Sequence, residues 1–166
     1  MSTYDWARFV TRINVKAPVE TLYNAWTTRA GIESWFLRLS EYKQRNGHLR
    51  DDDENVSIGD TYKWLWYGYP DETVEYGEIM DLNETDYLKF SFGKAGICTV
   101  RIIAEEGENV VELLQEEIPT DEKGMQYYHV GCKTGWTFYL ANLKSILEGG
   151  IDLRNKNVQL QNMLNS

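Results

Sequence analysis

The chain has 166 residues, about one domain's worth, with 42% hydrophobic and 26% charged residues, the ordinary pattern of a globular protein. Its formal net charge of −9 opposes phosphate backbones and anionic lipid surfaces, which sets aside nucleic-acid binding and polybasic membrane attachment. No apolar run approaches the roughly 20 residues of a membrane span, and Met1 to Val10 lacks a basic region followed by an apolar stretch, so the expectation is a cytoplasmic protein.

Phe9 to Lys16 alternates apolar and polar residues, the period of a half-buried strand. Pro18 suits the first turn of a helix, and Val19, Leu22, Tyr23 and Trp26 follow at i, i+3, i+4 and i+7. Thr27 and Thr28 end that helix and cap a second short one carrying Ile32, Trp35 and Phe36. Strands are then predicted over Leu37 to Lys43, Thr61 to Tyr67, Thr73 to Leu82, Tyr87 to Gly93, Ile97 to Ala104 and Val110 to Ile118. Short turns join most of them, which favours an antiparallel meander over crossovers. In TYKWLWY, Tyr62, Trp64 and Trp66 share one face; in YLKFSFG, Leu88, Phe90 and Phe92 do.

Pro119-Thr120-Asp121 is a stop and a cap, and Glu122 to Glu148 reads as one long helix or a loop followed by one. Its stripe is Cys132, Trp136, Leu140, Leu143 and Leu147, widened by Phe138, Tyr139 and Ile146. Gly131 and Gly135 cost about 1 kcal/mol each in a helix interior, which points to close approach of a neighbouring backbone or to a later helix start. Gly149-Gly150 ends the element. Residues 155–166 read as a polar tail or a weak terminal helix, after a single domain over 1–154.

Motifs for chemistry are sparse. The sequence has no Gly-rich phosphate loop, nucleophile elbow or metalloprotease helix motif. Cys98 and Cys132 form neither a disulfide framework nor a metal cluster, and His129 reads as a surface residue beside a buried Cys132. The acidic run Asp51-Asp52-Asp53-Glu54 lacks calcium-loop spacing and reads as a solvated loop. No metal and no cofactor are expected. Glu112, Glu116 and Glu117 are candidates for a buried general acid only if one of them faces inward.

The order strand, two small helices, six-strand meander, long C-terminal helix describes an α+β fold in which a curved antiparallel sheet wraps around one helix. The run from Val15 to Thr27 (VKAPVETLYNAWT) resembles the opening of START-like (SRPBCC) domains, and more narrowly the activator of heat-shock protein 90 ATPase homologue family. Gly59-Asp60, Gly77-Glu78-Ile79, Gly135-Trp136, Leu143-Lys144, Leu147-Glu148 and Asp152-Leu153-Arg154 extend the resemblance over about residues 9–154. It implies a helix-grip fold with a cavity between sheet and long helix, in which related domains bind lipids, sterols, polyketides or hormones and a minority cyclise or hydrate substrates. It implies no fixed catalytic residues.

Three readings follow. Six Trp, eleven Tyr and five Phe are more ring surface than a core of this size ordinarily needs, which favours a binding module for a small hydrophobic ligand. Its expected wall is Tyr62, Trp64, Trp66, Leu88, Phe90 and Phe92 from the sheet and Trp136, Leu140 and Leu143 from the helix, with Trp35 near the mouth. The alternative is an interaction module for an ATP-dependent chaperone, although activator-type relatives carry a separate N-terminal domain for which 166 residues leave no room. The third is a cyclase or hydratase.

Overall fold

The computed structural model describes residues 3–164; the first two and last two residues, the ends of the expected 1–154 domain and 155–166 tail, lie outside the described residues. Strand β1 (Phe9–Asn14) leads into helices α1 (Val19–Thr27) and α2 (Arg29–Glu33). Six strands follow: β2 (Leu39–Lys43), β3 (Thr61–Leu65), β4 (Val74–Leu82), β5 (Tyr87–Ser91), β6 (Ile97–Glu105) and β7 (Glu108–Glu116). The last helix is α3 (Gly131–Leu147). All seven strands form one antiparallel sheet in the order β1-β7-β6-β5-β4-β3-β2. This is the helix-grip fold, with a curved open sheet, the long helix across it, and two short helices after the first strand.

The expected caps and faces are present. The Thr28 hydroxyl accepts from the Gly31 amide at 3.0 Å, so one residue closes α1 and starts α2. Tyr62 and Trp64 on β3, Leu88 and Phe90 on β5, and Val111 and Leu113 on β7 are buried on the concave face. At Gly77 a Cβ would meet the Tyr62 ring at 2.5 Å, so glycine there lets the ring lie flat across β4.

Three expectations change. The long helix opens with wide turns: Gly124–Val130 is π-helical, and the Gly131 amide donates to the Gln126 carbonyl five residues back. Gly124 is buried so tightly that a Cβ would strike the Pro119 carbonyl oxygen. His129 is not on the surface but 2% exposed, its Nδ1 2.9 Å from the Trp6 carbonyl and its Nε2 2.6 Å from the Tyr4 hydroxyl. The rings of Tyr4, Trp6 and Phe9 enclose it edge-on, a burial supplied by residues 120 or more positions away. Cys132 beside it is half-buried, and Cys98 is the fully buried thiol. Residues 155–164 contain turns but no helix.

Beyond α3 the chain is stapled back onto α2. Arg154 donates to the carbonyls of Glu33, Leu37 and Ser34, each at 3.0 Å, and to both carboxylate oxygens of Asp152. Asn142, fully buried on α3, joins the same network, donating to the Trp35 carbonyl and to Asp152 and accepting from the Leu153 amide. Partial burial alone would raise the Asp152 carboxyl, but hydrogen bonds from Arg154, Lys156 and Asn142 outweigh it and hold the group well below the ordinary carboxylate range.

A carboxyl whose folded-state value lies below its unfolded one stabilises the fold fully above pH of about 4 and less as pH falls through the folded value. Denaturant midpoints measured from pH 7 down to pH 2 are therefore expected to fall less steeply below pH 4 in Asp152→Asn than in wild type. Identical slopes would refute that role. Arg154→Ala, which leaves Asp152 and three carbonyls without their donor, is expected to cost about 3 kcal/mol at neutral pH.

Candidate ligand cavity

The site begins with an amide in the sheet. Inward positions on β7 alternate as Val111, Leu113 and Gln115, and Gln115 is fully buried. A buried carboxamide requires partners. The Gln115 amide nitrogen donates to the Ala95 carbonyl at 2.9 Å, and its carbonyl oxygen accepts from Trp136 Nε1 at 2.9 Å. Cys98 Sγ lies 3.5 Å from the same oxygen. Trp136 thereby points from α3 at the centre of the sheet. Its ring stacks on Phe36 at 4.8 Å between centroids and an interplanar angle of 26°, with Phe92 at 5.7 Å on another side.

Next to this anchor lies an almost wholly apolar cavity of about 250 Å³. Helix α3 contributes Cys132, Gly135, Trp136 and Tyr139, spaced i, i+3, i+4 and i+7, one stripe of the helix. Phe36 comes from the segment after α2, Trp66 from just past β3 and Phe92 from just past β5. The half-buried Tyr69 and exposed Thr73 of the β3–β4 turn complete the lining, which is open to solvent on one side. Burial pushes both thiols above their ordinary value, Cys98 most, so Cys132 presents an uncharged wall.

Of the ten residues expected at a wall, Trp66, Phe92 and Trp136 line this cavity. The other seven are buried behind it. Tyr62 and Trp64 stack on each other at 3.8 Å, and Trp64 and Phe90 meet edge to face at 5.3 Å. Leu88, Leu140 and Leu143 belong to the same core. Trp35 is not near the mouth: it is fully buried, edge-on to Trp26 at 4.6 Å, with its indole N–H donated to the Ala25 carbonyl. The aromatic excess mostly fills the grip.

The carboxylates on β7 face away from it. Glu112 pairs with Arg12 at 3.1 Å, Glu116 is half-buried opposite Ile97, and Glu117 is exposed at φ 58°. Glu75 is different. It pairs with Trp64 across β3 and β4, and its carboxylate lies so close to Gly93 that a Cβ there would overlap it. Burial pushes its carboxyl up. Its signal in the sequence was the inward set Glu75, Gly77, Ile79 of an alternating strand. A larger, more polar depression of about 740 Å³ lies between the 67–71 turn and residues 155–163, and none of its lining residues belongs to α3.

Trp136→Ala removes the anchor ring and is expected to destabilise by about 3–5 kcal/mol. Trp136→Phe keeps most of the ring but leaves Gln115 short of a donor, at a cost of about 1–2 kcal/mol. Pairing Trp136→Phe with Gln115→Met in a double-mutant cycle should return a coupling of about 1 kcal/mol, read from denaturant unfolding. Strict additivity would mean that the hydrogen bond contributes nothing.

The fold is shared with several solved structures. A Staphylococcus saprophyticus protein matches at a TM-score of 0.68 and 23% identity, covering 89% of this chain and 96% of its own. The Aha1 dimer from Colwellia psychrerythraea matches at 0.62 and 18%, covering 86% and 97%. An HSP90 activator from Plasmodium falciparum matches at 0.58 and 19%, covering 86% and 96%. Among curated proteins, none matches the sequence significantly. The family model described as Activator of Hsp90 ATPase homolog 1-like protein matches residues 16–148. That span runs from just after β1 through all of α3, and the chain therefore belongs to this family.

Proposed function

We propose that the protein is a non-covalent binding module that holds a small hydrophobic ligand between the sheet and α3. The observation that carries this reading is the apolar cavity of about 250 Å³ beside Trp136. Its walls are rings, which offer large contact area with few rotatable bonds. Thr73, the one exposed residue among those lining it, marks the side open to water, where a ligand's polar end stays solvated. No carboxylate of β7 points into it, which weighs against the cyclase or hydratase alternative.

A second reading rests on family membership and on the fold shared with the Plasmodium falciparum activator: a chaperone-interaction module. Exposed rings such as Tyr76, 62% exposed, and Tyr127, 57% exposed, then become candidate contact residues on the acidic surface.

Prodan, an uncharged naphthalene dye that brightens in apolar surroundings, is expected to bind wild type and to bind Trp66→Ala at least ten-fold more weakly at a temperature where the melting curve shows that variant still folded. Native mass spectrometry of protein purified from its own host is expected to show a co-purified small molecule. No dye binding and no co-purified mass, together with stimulation of the host heat-shock protein 90 ATPase, would favour the second reading instead.

A further inference from the structure

The cavity has an unfilled direction in its helical wall. Gly135 sits in the interior of α3, where glycine is the least favourable residue after proline. The sequence suggested that its missing side chain lets a neighbour approach, but a Cβ built on Gly135 meets nothing within 4 Å. Gly77 and Gly124, by contrast, are held by contacts of 2.5 Å and 2.0 Å. Nor does Gly135 sit in a left-handed turn, since its helix is regular α. Neither packing nor backbone strain explains it. What lies in front of it is the cavity, which it lines together with Trp136 and Tyr139.

We propose that Gly135 sets the size limit of the ligand and that the ligand is a flat, uncharged molecule of one or two fused rings lying against the exposed backbone of α3. This rests on the ligand-binding reading above. An apolar cavity of about 150 Å³ accepts one benzene-sized ring, so the roughly 250 Å³ here has room for a second fused ring, with one side left open to solvent. Trp136 and Tyr139 flank the glycine on the helix, and Trp66 and Phe92 face it from the sheet, so ring faces and edges meet a planar guest. None of the lining residues carries a charge, so a charged guest would lose its hydration without gaining a counter-ion in the wall. An anion would in addition face a chain carrying −9. A Cβ at position 135 enters open space beside this cavity without striking the protein.

The test uses the intact protein, isothermal titration with phenol and 1-naphthol, and melting temperature as the control for folding. Wild type is expected to bind both. Gly135→Ala is expected to melt higher than wild type, keep phenol within two-fold and weaken 1-naphthol at least ten-fold. Gly135→Leu, with a melting temperature no lower than wild type, is expected to lose both. A folded Gly135→Leu that binds both like wild type overturns the role of Gly135. If wild type binds prodan but neither phenol nor 1-naphthol, the proposed ligand class is overturned while the cavity reading stands. If wild type binds no apolar probe, prodan included, the cavity reading falls and this proposal with it.

Discussion

The indole N–H of Trp136 and the carboxamide of Gln115 are each other's partners in the middle of the molecule, and most of the architecture answers to that one hydrogen bond. An amide on the concave face of a sheet is costly unless both its ends are satisfied. One end is held by the turn before β6, through the Ala95 carbonyl. The other end receives the long, weak contact of the Cys98 thiol and, from the helix, the full hydrogen bond of Trp136. That bond fixes the rotation of α3 about its own axis, because Trp136 must point at β7. Once it does, the helical period carries Cys132, Gly135 and Tyr139 to the side where the sheet presents Trp66 and Phe92. The cavity is the remainder, where two small residues and a glycine-backed surface leave a gap that rings do not close.

The C-terminal closure obeys a similar logic. The carbonyls after α2 need donors as the chain turns into β2, and α2 is too short to supply them itself. Arg154 reaches back to three of them, with a side chain 3% exposed. A buried guanidinium needs a carboxylate, which Asp152 provides, and Asp152 is in turn held by Asn142 on α3. The motif Asp152-Leu153-Arg154 thus ties the segment after the last helix to the segment between the second helix and the second strand.

Much of the fold was legible from the sequence because strand alternation and the helical stripe are local properties. Tyr62, Trp64, Leu88 and Phe90 lie on the inward face that their spacing assigns. Alternation reports a face but not a depth, so it does not separate rings stacked on rings from rings beside a hole. Gly135 carries the same ambiguity, since a helical glycine reads identically whether a backbone presses on it or nothing does. His129 and Trp35 were misplaced for a third reason. Their burial depends on Tyr4 and Trp6 in one case and on Trp26 and Asn142 in the other, contacts set by tertiary packing rather than by neighbours in the chain.

The sheet order has a consequence for the way the chain is made. Strand β1 borders only β7, with Phe9 opposite Gln115, whereas β2 to β7 each lie beside the strand before or after them in the chain. During synthesis the strands from β2 onward acquire partners in sequence, but β1 has none until β7 has left the ribosome. Until then Phe9 and Ile13 face solvent, and α1 and α2 await the helix they pack beneath. Closing a loop of about a hundred residues is entropically modest but kinetically slow. Strand β1 is thus made before the rest of the sheet yet is among the last of its strands to find a place, and folding of the grip is tied to synthesis of β7.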